Sequence, residues 1–481
     1  MNLSHPTQRT SRNGLAGAAL AGLLLVLPGF SDESSPRLRP EATEDLIEQK
    51  VACHLLQKKA EEHFGKGNKA GALELFGELV EMQPENDHAR GRLAYLLIGA
   101  GRSAEAVPHL EYQLEHGEQR GLAAYNLACA QALQGHTEPA IKALKVAVGY
   151  GFHDAKLMAE DPDLESLREQ PVFAKLVKRA WRSDELKHSL AGMEKGKPTD
   201  EQLAALAERA SIVTWDGKLQ HDAGYQLIAH GLHAEGEQAF ERQALSGYAV
   251  ANAQYNVACC RALQGDTDGA IAALAKAAEL GMHHPEVRAD ADLVSLHDDA
   301  RYAVLADKLA ATDGSSKHAL KMAVKAGDLA RAETLYAELA ETEEPNPWFA
   351  MEMGRMLLAA DRPEAAAGQF ALALESGHEA NDAIFYLASA NARQGDDTQA
   401  LKLLESSLTL GYADAKAVEA MLLDNSLGDT ATRTKLVSWA KHQGGWGDGY
   451  EKDGYDKAAH GKDKSKATAK SKGYAKQSDE E

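Results

Sequence analysis

Tyr125 and Cys129 stand four residues apart, and so do Tyr255 and Cys259. On a helix that spacing puts a phenol and a thiol on one face. Such a thiol could sense redox state or ligate a metal if a basic neighbour lowered its pKa. None lies next to Cys129 in sequence, and Arg261, close to Cys259, falls on a different face. Cys259 and Cys260 are adjacent, so on a helix their side chains point about 100° apart and are badly placed to bridge. Cys53, Cys129, Cys259 and Cys260 therefore read as small, half-buried thiols. Among 19 histidines, His153, His283 and His284 sit just past helix ends, where the helix dipole already favours them, so a metal is the weaker reading. The sequence contains no Gly-rich phosphate loop, His-Glu-x-x-His helix, paired-Cys zinc motif or nucleophile elbow. No catalytic residue, metal or cofactor is expected, and the chain reads as a non-enzyme.

What would position these side chains is a repeat with two periods. Gly67, Gly101 and Gly135 recur at a constant interval of 34; Ala72, Ala106 and Ala140 follow each by five, and Phe76, Leu110 and Leu144 come four later. The register returns at Gly231 and Gly265, with Gly236 and Ala270, and again at Gly327, Asp361 and Gly395, with Ala332, Ala366 and Ala400. A longer interval of 130 joins Tyr125-Asn126-Leu127-Ala128-Cys129 to Tyr255-Asn256-Val257-Ala258-Cys259 and, eroded, to Phe385-Tyr386-Leu387-Ala388-Ser389. Within one unit, Leu127, Ala128, Gln131 and Ala132 fall at helical spacing. Gly135 ends that helix, and Thr137 is placed to cap the next. Ala140, Ile141, Leu144, Ala147 and Val148 form the buried stripe. Two such helices cannot bury both faces alone, so neighbouring pairs must stack.

The 34-residue period, turn glycine, small residue and following apolar residue resemble the tetratricopeptide repeat. Ala72, Phe76 and Pro84 match its second helix and terminal proline, and Tyr125-Asn126-Leu127-Ala128 its first-helix signature. The likeness runs from about Glu44 to Leu410 in eight units; the terminal proline is missing from most of them, and no unit fits around Lys197. The resemblance implies that the first helix of each pair lines a concave groove for a protein or peptide partner. Carried over by register, the groove positions are Lys58, Arg92, Tyr95, Tyr125, Asn126 and Cys129, then His221, Tyr225, Asn252, Tyr255 and Asn256, then Lys321, Trp348, Arg355, Phe385 and Arg393. Aromatic side chains with Asn and Arg suit a contact surface. For Tyr125 and Tyr255 the alternative is packing against the adjacent pair. A carboxylate clamp is not expected, because Glu61 stands where the family would use Asn.

Asp161-Pro162-Asp163-Leu164 and Ala291-Asp292-Leu293, each followed by an aromatic residue, Phe173 or Tyr302, resemble the closing segment of bacterial tetratricopeptide groups. The expected architecture is an all-α solenoid of helix-turn-helix repeats. Three modules of similar length, one long interval each, span 44–182, 183–312 and 313–442, the last with a degenerate cap near Asp424 and Leu427.

Arg9 and Arg12, an apolar run from Gly14 to Leu27, then Pro28, Gly29 and Ser31 read as an export signal over 1–31 followed by a linker at 32–43. Fourteen apolar residues fall short of the ~20 that a membrane-spanning helix needs. Cleavage near Ser31 is expected, giving a periplasmic or secreted chain, with an uncleaved membrane anchor as the alternative. The segment 443–481, rich in Gly, Lys and Tyr, cannot bury a core and reads as a disordered tail. The net charge is −20; the tail is neutral and the first forty residues carry +2, which leaves −22 between them. An acidic body is a poor match for nucleic acid or an anionic membrane. The function expected is a scaffold holding a protein or peptide in the groove, with self-association in an envelope structure as the alternative.

Overall fold

The computed structural model describes residues 40–443 apart from 194–196, 312–315, 341–345 and 377–378. The expected signal and tail lie outside the described residues. Among the described residues every regular element is helical, and most are α-helices of 13 or 14 residues joined by tight turns. The unit read from sequence is present as helices Arg120–Leu133 and Thr137–Gly149. Gly135 between them has φ +77°, a left-handed conformation that costs a glycine nothing. At the corresponding turn Asp361 holds φ 59°, as Asp tolerates better than most residues. One detail differs: Thr137 is the first residue of its helix, and His136 takes the cap position without a capping bond, its ring against Gln131 Oε1 at 2.8 Å. At the same register Asn68, Asp266 and Asp396 do cap, each accepting a backbone N–H from three residues on.

Ala140 and Leu144 are completely buried, as are Ala72 and Phe76, Ala106 and Leu110, Ala270 and Leu274, Ala366 and Phe370, and Ala400 and Leu404. The small residue lets the helices approach; the larger one then fills the seam, and burying each such side chain is worth roughly 1.5–3 kcal/mol. Where the filler is Phe240 or Phe370, the first helix carries Gly224 or Gly354, and a Cβ there would lie 2.5 Å from the ring. The equivalent position one long interval before Gly224 is Ala94, with the smaller Leu110 as filler. Gly236 is different. A Cβ on it would meet its nearest neighbours at 3.4 Å or more, which is ordinary contact.

Cys53–Gly314 form one compact unit, and the chain up to Ala52 together with Ser315 onwards forms another. In the first, helix Pro171–Ser189 does two jobs. Phe173 and Leu176 join the core of the preceding pairs, while the helix also packs against Asp200–Ile212, which Thr199 and Gln202 open with reciprocal bonds. This explains the missing unit around Lys197: its first helix is fused to the closing helix before it. The expected boundary at 182/183 falls inside this single element. The junction is tightly bonded. Trp215 N–H donates to Gly149 O at 2.9 Å, and Arg179 donates to Ser211 O and Ile212 O at 3.1 and 3.2 Å.

Gly236→Ala is expected to raise stability by about 0.5–1 kcal/mol through helix propensity. Gly224→Ala is expected to lower it, because overpacking costs about 1–3 kcal/mol and outweighs that gain. Thermal melts of the two variants check the opposite signs.

Candidate partner-binding site

The expected groove residues separate into three groups by what holds them. In the first, Tyr125 is buried with its ring stacked on Phe152, centroids 4.2 Å apart. Its hydroxyl donates to Asp161 Oδ2 at 2.8 Å, while Asp161 Oδ1 accepts the Asp163 N–H that opens the 3-10 helix Pro162–Leu167. Tyr255 repeats the device: it stacks on His284 at 4.9 Å and donates to Asp290 Oδ2 at 2.6 Å, and Asp290 Oδ1 accepts from Asp292. Phe385 has no hydroxyl and stacks on Tyr412 at 4.1 Å. All three close the ends of their blocks and present almost no open surface. Packing, the alternative weighed for Tyr125 and Tyr255, is what the geometry gives.

The Cys129 thiol lies within 4.8 Å of Asp161 and Asp163 carboxylate oxygens, and Cys259 stands likewise to Asp290 and Asp292. Each set could offer three ligand atoms to a metal. Burial pushes both thiols well up, and the adjacent carboxylates push them further, so the thiolate a metal or a redox sensor needs is disfavoured. Asp161 and Asp290 each already accept a tyrosine hydroxyl and a backbone N–H.

The second group includes both arginines engaged within the chain and the exposed Lys58, Lys321 and Trp348. Arg92 is buried, lies over Phe64 at 4.5 Å and donates to Glu61 Oε1 at 2.9 Å; His88 Nε2 is 2.6 Å from the same oxygen. Tyr95 meets Phe64 edge-on at 6.0 Å. Arg92 is thus engaged rather than turned outward as a carboxylate clamp. Lys58 is exposed on helix Pro40–Gly65 and Asn126 half-buried on helix Arg120–Leu133. In the second compact unit, Arg355 pairs with Glu352 at 2.8 Å and lies over Tyr386 at 4.6 Å, and Arg393 donates to Leu358 O at 2.6 Å. Trp348 is exposed beside Phe349, and Lys321 is exposed.

The third group forms a continuous patch. Tyr225, 42% exposed, lies against His221 at 4.8 Å and Phe240 at 5.4 Å. Its hydroxyl exchanges hydrogen bonds with the Asn256 amide, Nδ2 donating at 3.1 Å. Asn256 also donates to Asn252 Oδ1 at 3.2 Å. Sequence reasoning missed two members. Tyr248, 43% exposed, meets His221 at 5.9 Å, and buried Gln243 reaches the His221 ring at 3.3 Å and the Tyr248 carbonyl at 3.2 Å. Both come from the second helix and the turn after it, where no groove position is sought by register.

With these helix pairs described, comparison with known proteins is direct. A model of the tetratricopeptide repeat matches residues 58–113 and 351–416. These are tetratricopeptide repeats. A chloroplastic protein of Arabidopsis thaliana is 36% identical over 82 residues, 16% of this chain and 24% of that protein, so the chain spans about a quarter of that relative's length. The solved tetratricopeptide domain of P58(IPK) aligns at 15% identity over 82% of this chain and 99% of its own, with a TM-score of 0.25. Yeast Tom70 aligns at 14% identity over 82% and 96%, with a TM-score of 0.21. Tetratricopeptide repeats generally serve as non-catalytic scaffolds for protein partners.

Burial opposes ionisation of Glu61, but the His88 hydrogen bond and the Arg92 charge outweigh it and hold the carboxyl below its usual range. Stabilisation from such a group is complete above its unfolded pKa of about 4.3 and fades as pH falls through the lower folded value. Glu61→Gln is expected to lower the melting temperature at neutral pH and to flatten its acid decline. An unchanged acid slope in a pH series of melts would contradict the assignment.

Proposed function

We propose that this chain is a non-catalytic scaffold that holds an extended segment of a protein partner, with the Tyr225 patch as the principal contact. The observation carrying this reading is that Tyr225 and Tyr248 are both more than two-fifths exposed while His221, Asn252 and Asn256 fix polar groups beside them. Rigid aromatic area supplies apolar contact at low entropic cost, and the half-buried Asn252 amide can pair with a peptide backbone. The acidic body favours a neutral or basic partner. The Tyr125, Tyr255 and Phe385 contacts fit a supporting role, since they hold the helix ends in place.

Tyr225→Ala with Tyr248→Ala is expected to reduce partner capture by about tenfold or more, since an interface aromatic truncated to Ala often costs over 1 kcal/mol. The circular dichroism of the variant should match the parent. Capture that survives in a fully helical variant would sink this site.

We also propose export, which rests on the Arg9 to Ser31 pattern. N-terminal sequencing of the mature chain is expected to begin just after Ser31. A mature protein that retains Met1 would favour the uncleaved anchor.

A further inference from the structure

The start of helix Pro40–Gly65 packs with the far end of the chain. Ile47 is buried in one core with Leu403, Leu404, Leu436 and Ala440, and Leu46 and Val51 pack against that core. Around it, Gln399 Nε2 donates to Glu44 Oε1 at 2.7 Å, and Lys402 Nζ lies 3.2 Å from Glu48 and 3.9 Å from Glu44. Nearly the whole repeat array separates the two sides of this contact in sequence.

Its place in the fold explains why it is there. The repeats ending at Thr137–Gly149 and Thr267–Glu279 are closed by the segment that follows each, through the tyrosine–aspartate bonds at Asp161 and Asp290. The repeat ending at Asp397–Thr409 has Phe385 in place of the tyrosine, and no such bond is available to it. The end of a helical stack leaves an apolar flank that needs a cover. The helices that follow, Ala415–Asp424 and Thr430–Gln443, share its core through Met421, Leu422 and Leu436, and Thr43–Val51 completes the cover from the other end of the chain.

The Thr43–Val51 contribution is slight. Ile47 is its one large buried side chain; Lys402 and Glu48 remain largely in solvent, where ion pairs contribute little. A contact of this size opens locally while the pairs beneath stay folded. The flank exposed by that opening matches Thr43–Val51, and every copy of the chain carries this segment. Identical elements that can leave one chain and seat on another are the condition for exchange between protomers.

We propose that the flank of helix Asp397–Thr409 is a self-recognition surface that accepts Thr43–Val51 of a second copy and joins chains head to tail. This surface is separate from the Tyr225 patch, so the two readings stand or fall independently. The test mixes two full-length preparations of different tag length, one carrying Glu44→Cys and the other Gln399→Cys, with a short bis-maleimide. The four native thiols are buried, and the parent chain gives the background. The expected result is a mixed-tag dimer whose yield rises with concentration. That dimer should be lost when Ile47→Asp is added to the Glu44→Cys chain. As a milder variant, Glu48→Lys on that chain should reduce it, and Lys402→Glu on the other should restore it. A mixed sample no different from the parent background, or a dimer indifferent to both Ile47→Asp and Glu48→Lys, would overturn the proposal.

Discussion

Two helices can share a buried seam only if one of them gives up side-chain volume where they cross. In this protein that concession is made at the same register in six pairs. Ala72, Ala106, Ala140, Ala270, Ala366 and Ala400 are fully buried, and the side chain four residues later fills the space they leave. The filler varies between leucine and phenylalanine, and in two pairs the opposing helix adjusts: Gly224 and Gly354 face Phe240 and Phe370 so closely that a Cβ would collide with the ring, while Ala60 holds that register before Phe76. Close packing gives such adjustments their weight, because a protein interior has little slack to absorb a methyl group. Everything else in the stack inherits its spacing from this seam.

The polar bonds act at the ends and junctions, where the seam runs out. Asp161 and Asp290 each join a buried tyrosine to the first turn of a 3-10 helix, so one carboxylate orients a side chain and satisfies a backbone donor. Buried Gln220 donates to Ala210 O and Val213 O at 2.8 and 2.6 Å and ties one helix to the turn before it. Tyr125, Tyr255 and Gln220 sit on the first helices of their pairs, as Tyr225 does. A phenol at a first-helix position can therefore end in either role. Tyr125 and Tyr255 find a carboxylate and become buried struts; Tyr225 finds only an amide and keeps its face open.

That choice marks the limit of what was legible from sequence. The repeats, their turn glycines and their buried stripes follow from local rules of steric cost and periodicity, and they stand where those rules put them. The roles of Tyr125, Tyr255 and Arg92 depend on partners about one repeat away in sequence, Asp161, Asp290 and Glu61, and register alone does not say whether such a partner arrives. Tyr248 and Gln243 escaped notice because they lie off the first helices. The helix pair around Lys197 escaped because Pro171–Ser189 serves two neighbours at once and carries no turn glycine at the expected place. A signal existed for the seam itself: Gly224 and Gly354 stand one long interval apart and match Ala94, and reading them beside Phe240, Phe370 and Leu110 would have exposed the exchange of volume.

That exchange of volume can be measured by a double-mutant cycle on Gly224→Ala and Phe240→Leu, scored by denaturant unfolding. Each change alone should destabilise, one by collision and the other by leaving a void. Together they recreate the Ala94 and Leu110 arrangement, so the account predicts that the double variant is more stable than the sum of the single losses by more than ~0.5 kcal/mol, beyond the range expected of independent sites. Strict additivity of the two losses would contradict the claim that the seam sets the spacing of the stack.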